Sequence, residues 1–312
     1  MAIASPGQAF WNQRHVLAAL APRLRQMSDA VGRPSDLSLR QWNQLLAFAL
    51  EFRPDLILEL GRGHGNSTCC FLEAARHIEA TGGRCRLVSL CLDDTWAVQT
   101  AKRLRPLCDD SWFGRGAILR KNILEHDFEA ELTPAQRVFL FWDAHGVVVA
   151  DCVLSRIMPL LASRPHVVAM HDMCHSVYDM QNRKKPYGDA HIWDGECATT
   201  NFFRVGNVQS SVTQAILAMD FTGRNDVPLH AAAEGICHDV MQHPDRVAEL
   251  KRLLDDDLVR QPAMWFWFSL NEAVGELTFP KPCPPPKPKA APSVLRRLLR
   301  AGRRLAGRFT RT

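Results

Sequence analysis

The stretch Asp55-Leu-Ile-Leu-Glu59-Leu-Gly61-Arg-Gly63-His-Gly65-Asn-Ser67-Thr68 indicates the fold class of this chain. A short apolar run passes into three glycines at alternate positions and then into a segment, residues 67–80, whose apolar side chains recur at helical spacing. A buried strand that enters a helix through such a loop leaves backbone amides and the helix N-terminus facing an anion or a polar cofactor. Glycine lets that ligand approach the main chain closely. The stretch therefore predicts a cofactor-binding α/β domain.

Four further short apolar runs extend this pattern, at residues 87–92, 117–119, 138–142 and 167–170. Runs this short, with apolar residues on both faces, suit parallel strands that helices cover on both sides. Helical spacing between the runs, for example at 150–161, completes an alternation of strand and helix. We therefore predict a doubly wound, mostly parallel α/β sheet, to which an aromatic run at 263–270 adds a late strand.

Four regions follow one another along the chain. Residues 1–50 carry two helical patterns, which we interpret as N-terminal covering helices, and residues 51–280 form the α/β domain. Residues 281–292 contain six prolines and predict an extended linker. Residues 293–312 place leucines on one face and arginines elsewhere, which predicts a basic amphipathic helix.

Composition excludes several classes of protein. The 312 residues are 46% hydrophobic and 23% charged, which is the balance of a globular chain. No run of 18 apolar residues occurs, so a membrane-spanning helix is not expected. The first ten residues lack the basic start and apolar run of a secretory signal. We therefore expect a cytoplasmic protein whose ten cysteines are reduced thiols.

Charge is unevenly distributed along the chain. The net charge is +5, but residues 281–312 contain ten Lys or Arg and no Asp or Glu, so residues 1–280 carry a net charge of −5. This acidic body gives no reason to expect nucleic-acid binding, whereas the basic tail would meet an anionic surface first. For the tail we prefer adsorption to the inner face of the membrane over an acidic protein partner or a solvated end.

The glycine loop resembles motif I of the class I S-adenosylmethionine-dependent methyltransferases. Its pattern E-L-G-x-x-x-G-x-S, from Glu59 to Ser67, is similar to that of metal-dependent O-methyltransferases of the catechol, macrocin and rhamnosyl type and of the cephalosporin hydroxylase-like group. A dinucleotide fingerprint would instead place its third glycine at Asn66. The resemblance covers chiefly residues 55–175. It implies a seven-stranded Rossmann-like sheet, S-adenosylmethionine as cofactor, and O-methylation of a small hydroxylated acceptor such as a sugar or polyol.

The same resemblance implies a set of cofactor-binding residues. Glu59 and the backbone of residues 61–65 would line the methionine part of the cofactor, and Ser67 would bond its carboxylate. The family usually ends its second strand with a carboxylate that holds the ribose hydroxyls, but Cys91 stands there, so Asp93 or Asp94 is the candidate in its place unless both only begin the next helix. The candidate set is Glu59, Gly61, Gly63, Gly65, Ser67, Asp93 and Asn122.

Acids and histidines follow the fourth and fifth predicted strands. Asp143 and His145 come after residues 138–142, and His171 and Asp172 come after residues 167–170. The carboxyl ends of parallel strands face one crevice, where such residues can bind a divalent cation or move a proton. By the resemblance, Asp143, His171 and Asp172 would bind Mg²⁺ or another divalent cation. We predict Asp143 and His145 as catalytic residues, with His145 as the base.

Several alternatives stay open at this stage. Asp143 and Asp172 could simply cap helices, and His171 could be a structural histidine near the core. The chain could be a binding protein that kept the fold and lost the chemistry, or an NAD-linked oxidoreductase. A hydroxylase would need an oxygen-activating metal, for which His171, Asp172 and His175 are too close in sequence to make a good triad.

Removal of residues 281–312 tests the membrane hypothesis. We expect the truncated protein to stop sedimenting with vesicles of anionic lipid, because the arginines and the apolar face that would bind the surface are gone. Its activity in solution would be retained. Vesicles of neutral lipid are the control, and sedimentation that truncation leaves unchanged would contradict the hypothesis.

Overall fold

The computed structural model describes residues 3–171, 208–231, 243–254 and 265–282. The predicted basic helix, most of the predicted linker, Asp172 and His175 lie outside the described residues. The fold therefore does not test those predictions.

A seven-stranded sheet forms the centre of the structure, in the spatial order β3-β2-β1-β4-β5-β7-β6. Its strands are β1 Leu56–Leu60, β2 Arg86–Cys91, β3 Gly116–Arg120, β4 Val138–Trp142, β5 His166–His171, β6 His230–Ala231 and β7 Trp265–Phe268. Strands β1 to β5 pair in parallel, whereas β7 runs antiparallel to β5 and to β6. The strand order reverses between β1 and β4, so the predicted doubly wound, mostly parallel sheet is confirmed. The two-residue strand β6 is not among the runs predicted from the sequence.

Helices cover both faces of this sheet. They are α1 Pro6–Asn12, α2 Arg14–Val31, α3 Leu39–Phe52, α4 Asn66–Ala80, α5 Ala101–Leu104, α6 Asp110–Phe113, α7 Phe128–Leu132, α8 Val147–Cys152, α9 Met158–Leu161, α10 Val208–Arg224 and α11 Pro244–Leu253. The helical segment predicted at 150–161 is α8 and α9 joined by a π-helical turn, Val153–Ile157. No helix in the described ranges is both long and apolar enough to cross a membrane.

Side chains alternate between two apolar layers along the central strands. Phe139 and Phe141 of β4 face α3 and α4, where Phe139 packs edge-on against Phe48 at 5.6 Å between ring centroids. Leu140 and Trp142 face the opposite layer, which α8, α9 and α10 cover. Each of these fully buried side chains contributes about 1.5 to 3 kcal/mol relative to exposure. Alternate burial explains why the strands are apolar on both faces.

The N-terminal helices share the first of these layers. Leu24 of α2 and Trp42 of α3 are fully buried in the same cluster as Phe139. Helix α3 extends to Phe52, so the predicted boundary at residue 50 falls inside a helix. Helices α1 to α3 therefore form part of the core of the domain, because they cover the aromatic face of β4 together with α4.

A reciprocal cap begins α3. The Ser38 hydroxyl accepts a hydrogen bond from the Gln41 amide, and the Gln41 side-chain oxygen accepts one from the Ser38 amide at 2.8 Å. The cap determines which end of the Gln41 carboxamide faces outward from the turn.

His166, at the start of β5, is a buried neutral histidine. Its Nδ1 lies 2.9 Å from the Arg164 carbonyl, and its Nε2 accepts a hydrogen bond from the Leu270 amide at 3.0 Å. Burial lowers the pKa of His166 to about 4, because the charged ring would lose its hydration. His166 thereby joins β5 to the turn that follows β7 only while it is neutral.

Stability should consequently fall in mild acid. The unfolded chain binds a proton at His166 below a pH of about 6.5, whereas the folded chain resists until about pH 4, so this contribution is lost as the pH falls through that window. We expect about 2 kcal/mol less stability at pH 5 than at pH 7 from this residue. Urea unfolding of the wild type and of His166→Gln measures it, since the variant has no such proton to bind. Identical pH dependence in both proteins would contradict the prediction.

Candidate functional site

The loop between β1 and α4 has a backbone that only glycine adopts easily. Gly61, Gly63 and Gly65 have φ values of 91°, 49° and 92°. A Cβ at Gly61 would lie 2.7 Å from the backbone of Asp143, and one at Gly65 would lie 2.4 Å from the ring of Trp96. Gly63 is exposed, with the Asp36 carboxylate 3.7 Å from where its Cβ would be. The outer glycines permit close packing, and the middle one presents the open face of the loop.

Helix α4 begins with its N-terminus uncapped by any side chain. Its N-cap is Gly65, and no side-chain hydrogen bond satisfies its first turn. The helix is 15 residues long, so the partial positive charge at this end is fully developed. An anionic group placed against the loop would be stabilised there.

Glu59 supports the loop from beneath instead of facing the crevice. The residue has no exposed surface, and its carboxylate accepts hydrogen bonds from Ser67 at 2.5 Å, from Thr68 at 2.7 Å and from Ser89. Burial raises the pKa of Glu59, while the three hydroxyl bonds act in the opposite direction. A buried carboxylate is costly unless it is well bonded, which accounts for the three hydroxyls around it.

Two residues of the predicted cofactor set therefore have a different role in this structure. Glu59 presents no atom to a ligand at the loop, because protein atoms enclose it completely. Ser67 is 4% exposed and donates its hydroxyl proton to Glu59, so it does not offer that proton to a bound carboxylate. Both residues shape the loop, whereas the exposed Gly63 backbone and the α4 N-terminus remain suited to contact a ligand.

Arg62 is a buried cation that sequence analysis did not identify. It is 4% exposed, and its Nη1 donates to the Ser89 hydroxyl at 2.9 Å and to the Ser89 carbonyl at 3.2 Å. Its position within the glycine loop was the only signal available. The arginine ties the loop to β2 and places a positive charge near Glu59.

The residues predicted at the ends of β2 and β3 bond within their own turns. Asp93 is exposed and accepts a hydrogen bond from the Thr95 amide at 2.7 Å; bonds from Thr95 lower the pKa of Asp93. Asn122 accepts from the Leu124 amide at 3.1 Å. The alternative that Asp93 only begins the next helical segment agrees with this geometry.

Asp143, His145 and His171 come together beyond the ends of β4 and β5. The Asp143 Oδ1 atom lies 3.4 Å from His171 Nδ1 and 3.8 Å from His145 Nε2. That oxygen is enclosed and has no hydrogen-bond partner among the described residues. The Gly61 backbone adjoins Asp143, so the structure brings the predicted acid and base next to the glycine loop.

His171 does not fit the predicted role of a metal ligand. Its Nε2 lies 3.0 Å from the Gln41 side-chain nitrogen, and its Nδ1 faces Asp143. Gln41 thus occupies Nε2, and Nδ1 faces Asp143 Oδ1 without a hydrogen bond; the side chain is only 5% exposed, so it presents no open position to a cation in this structure. Within the described ranges, no group of three or more His, Cys, Asp or Glu residues could hold a metal ion, and Asp172 lies outside them.

Two buried glutamines complete this cluster, and sequence analysis missed both. Gln41 of α3 contacts His171, and Gln214 of α10 contacts His145 Nδ1 at 2.7 Å. Glutamine is ordinary on a helix, so neither residue carried a signal of function in the sequence.

Away from this cluster, a cleft of about 620 Å³ opens beside the end of α4. It is lined by Arg23, Arg76 and Arg115 among others. Arg23 and Arg76 pair with the buried Glu73, and Arg115 pairs with Glu79. Because protein carboxylates neutralise these cations, we do not regard this cleft as the functional site.

Comparison with known proteins finds similarity among solved structures alone. No family model matches the chain, and no curated protein matches it. The O-methyltransferase TomG of Streptomyces achromogenes, involved in tomaymycin synthesis and in complex with SAM, is 17% identical over 66% of this chain and 81% of that one, with a TM-score of 0.43. An O-methyltransferase from Bacillus cereus in complex with SAH is 13% identical over 67% and 83%, with a TM-score of 0.42. The SAH-bound methyltransferase PaMTH1 of Podospora anserina is 12% identical over 66% and 82%, with a TM-score of 0.42. At this level of similarity, function has to be argued from the residues of the chain itself.

The contact between Gly65 and Trp96 yields a test of the loop. Gly65→Ala should cost about 1 to 3 kcal/mol more stability than Gly82→Ala, because the new methyl group would overlap the indole ring. Gly82 is a matched control, since its φ is also positive, at 81°, and nothing lies within 4 Å of its Cβ position. Urea unfolding of both variants measures the difference, and equal losses would show that Trp96 does not close this side of the loop.

Proposed function

We propose that this protein is an S-adenosylmethionine-dependent methyltransferase that methylates a hydroxyl oxygen of a small acceptor. The observation that carries the proposal is the adjacency of two features: the open glycine loop after β1, and the acid and histidine pair that follows β4. The first suits the amino-acid end of a nucleoside cofactor, and the second suits proton removal from an acceptor.

The cofactor would lie along the loop with its carboxylate toward α4. The exposed backbone of Gly63 and the uncapped first turn of α4 are the groups suited to hold that anion. Asp36, beside Gly63, is placed to attract an ammonium group. When bound, the cofactor supplies an electrophilic methyl group on a sulfonium.

On the acceptor side, the chain supplies a proton acceptor and an orienting carboxylate. His145 Nε2 would take the proton of the acceptor hydroxyl, which makes that oxygen nucleophilic. The Asp143 carboxylate, which is partly exposed, would accept a hydrogen bond from the acceptor or from the protonated ring. A sugar or other polyol, with neighbouring hydroxyls, suits two acceptors set 3.8 Å apart.

We derive no step through a divalent cation. Among the described residues, Asp143 offers a carboxylate oxygen, but His171 is buried between Gln41 and Asp143. The donor set present does not fit the octahedral oxygen-rich site that Mg²⁺ prefers.

One observation favours a second candidate, a binding protein of the same fold without turnover. Cys91 stands at the end of β2, where a carboxylate would hold a ribose, and Asp93 bonds within its own turn. In that case the protein would bind S-adenosylmethionine weakly or not at all, and it would transfer no methyl group. An NAD-linked oxidoreductase would instead be detected by energy transfer from protein tryptophan to bound nicotinamide.

Native mass spectrometry of the purified protein should detect retained S-adenosylmethionine or its demethylated product.

The cofactor site is also tested by two substitutions of equal size at Gly63. By calorimetry, Gly63→Asp should bind S-adenosylmethionine about 10- to 100-fold more weakly than Gly63→Asn, because only the former places a second negative charge beside the cofactor carboxylate. Asn and Asp both tolerate the φ of 49°, so the pair separates charge from backbone strain.

Turnover then separates the two candidates. The wild type should convert S-adenosylmethionine to S-adenosylhomocysteine faster in the presence of an effective acceptor from a panel of sugars and polyols than in its absence. The lack of any binding heat at high protein concentration would support the binding protein, and binding without such turnover would contradict the proposed methyltransferase.

A further inference from the structure

Gln214 is a fully buried amide on α10, where most of the other buried side chains that the structure describes are apolar. Its neighbours on the buried face of α10 include Ala215, Ala218 and Phe221, all without exposed surface. A buried amide is destabilising unless both of its ends are hydrogen-bonded. Here they are: the side-chain nitrogen donates to the Trp142 carbonyl at 3.0 Å, and Oε1 lies 2.7 Å from His145 Nδ1.

The Trp142 carbonyl determines the orientation of this amide. A carbonyl oxygen can only accept, so the atom of Gln214 beside it must be the NH₂ group. Turning the amide over would place two oxygens against each other at one end. Oε1 must therefore face His145, which means that His145 Nδ1 carries a proton and donates it.

A neutral imidazole carries a single N–H proton, so the Gln214 contact also decides the state of the other nitrogen. With the proton on Nδ1, Nε2 is the acceptor, and Nε2 is the atom that faces Asp143 Oδ1 at 3.8 Å. Two acceptors thus face each other next to the glycine loop. That arrangement suits a hydroxyl donor placed between them.

On the other side of Asp143, the hydrogen bond between Gln41 and His171 has the opposite polarity, because the glutamine is the donor and the histidine is the acceptor. Gln41 Oε1 accepts from the Ser38 amide in the α3 cap, so its nitrogen faces His171 Nε2. His171 then carries its proton on Nδ1, which lies 3.4 Å from Asp143 Oδ1. His171 presents a donor to the carboxylate, whereas His145 presents an acceptor, and the two histidines are not interchangeable.

From this geometry we propose that Gln214 is a positioning residue that holds His145 in the Nδ1–H tautomer with Nε2 toward the acceptor site. The consequence for catalysis rests on the proposed function, in which His145 Nε2 removes the acceptor proton. The tautomer itself does not depend on that function, because the Trp142 carbonyl and the Gln214 amide determine it without any ligand.

The tautomer can be measured directly. Protein labelled with ¹⁵N-histidine gives long-range ¹H–¹⁵N correlations that distinguish Nδ1–H from Nε2–H, recorded at pH 9, where an ordinary imidazole is neutral. The His145 signals are assigned by their absence from His145→Gln. We expect the Nδ1–H pattern in the wild type. In Gln214→Met this pattern should disappear or become mixed with the Nε2–H pattern, because methionine keeps the side-chain length but removes both hydrogen bonds of the side-chain amide.

A second buried amide provides the matched control. Asn225, just after α10, donates to the Phe221 and Thr278 carbonyls and accepts from the Thr278 amide at 2.7 Å. Asn225→Leu also removes a buried amide, but it should leave the His145 tautomer unchanged. If Gln214→Met proves too unstable to study, Gln214→Glu, which can still accept from Nδ1–H, should keep the Nδ1–H pattern.

Kinetics separate the positioning role from the function. In the methyl-transfer assay, Gln214→Met should lower kcat roughly 10- to 100-fold, with little change in S-adenosylmethionine affinity. A tautomer change without any methyl transfer in the wild type would sustain the positioning role and overturn the proposed function. An Nε2–H tautomer in the wild type, or an Nδ1–H pattern that persists in Gln214→Met, would overturn the positioning role whatever the activity.

Discussion

The buried carboxylate of Glu59 is the interaction on which the architecture of the site depends. It sits on β1, and the three hydroxyls that bond it come from the first turn of α4 and from β2. One unsolvated charge therefore joins the strand, the helix and the neighbouring strand that frame the glycine loop. Without those bonds the carboxylate would be strongly destabilising, so the loop geometry and the burial of Glu59 depend on each other. Arg62, bonded to Ser89, closes the same network from the loop side.

Helix α3 and the segment before it do more than cover the sheet, because they also contact the glycine loop and His171. Asn66, at the start of α4, receives a bond from the Trp42 indole and donates to Asp36, so the segment before α3 and the first turn of α3 itself lie against the glycine loop. The cap of α3 also orients Gln41 toward His171. Residues far apart in sequence are thus brought to one edge of the sheet. The aromatic layer formed by Phe48, Phe139 and Phe71 holds these helices in place.

Backbone groups set the chemistry of the histidines through glutamine. Each glutamine contacts one main-chain group whose polarity is unambiguous, the Trp142 carbonyl in one case and the Ser38 amide in the other. Because an amide has a donor end and an acceptor end, that polarity is passed to the imidazole beyond it. The result is a carboxylate with a donor on one side and an acceptor on the other. The asymmetry assigns His145 and His171 different roles, although both lie at the carboxyl end of a strand and both adjoin Asp143.

The amino-acid sequence by itself determined the doubly wound sheet, the glycine loop and the placement of Asp143 and His145 beside that loop. These features are local or follow from a general rule: apolar runs predict strands, and the carboxyl ends of parallel strands meet at one edge. The tertiary structure alone decided that Glu59 and Ser67 face each other beneath the loop, that His171 is buried between Gln41 and Asp143, and that Gln41 and Gln214 contact the histidines. Such contacts join residues up to 130 positions apart. A side chain's hydrogen-bond partner depends on packing between distant helices and strands, for which spacing along the chain carries no signal.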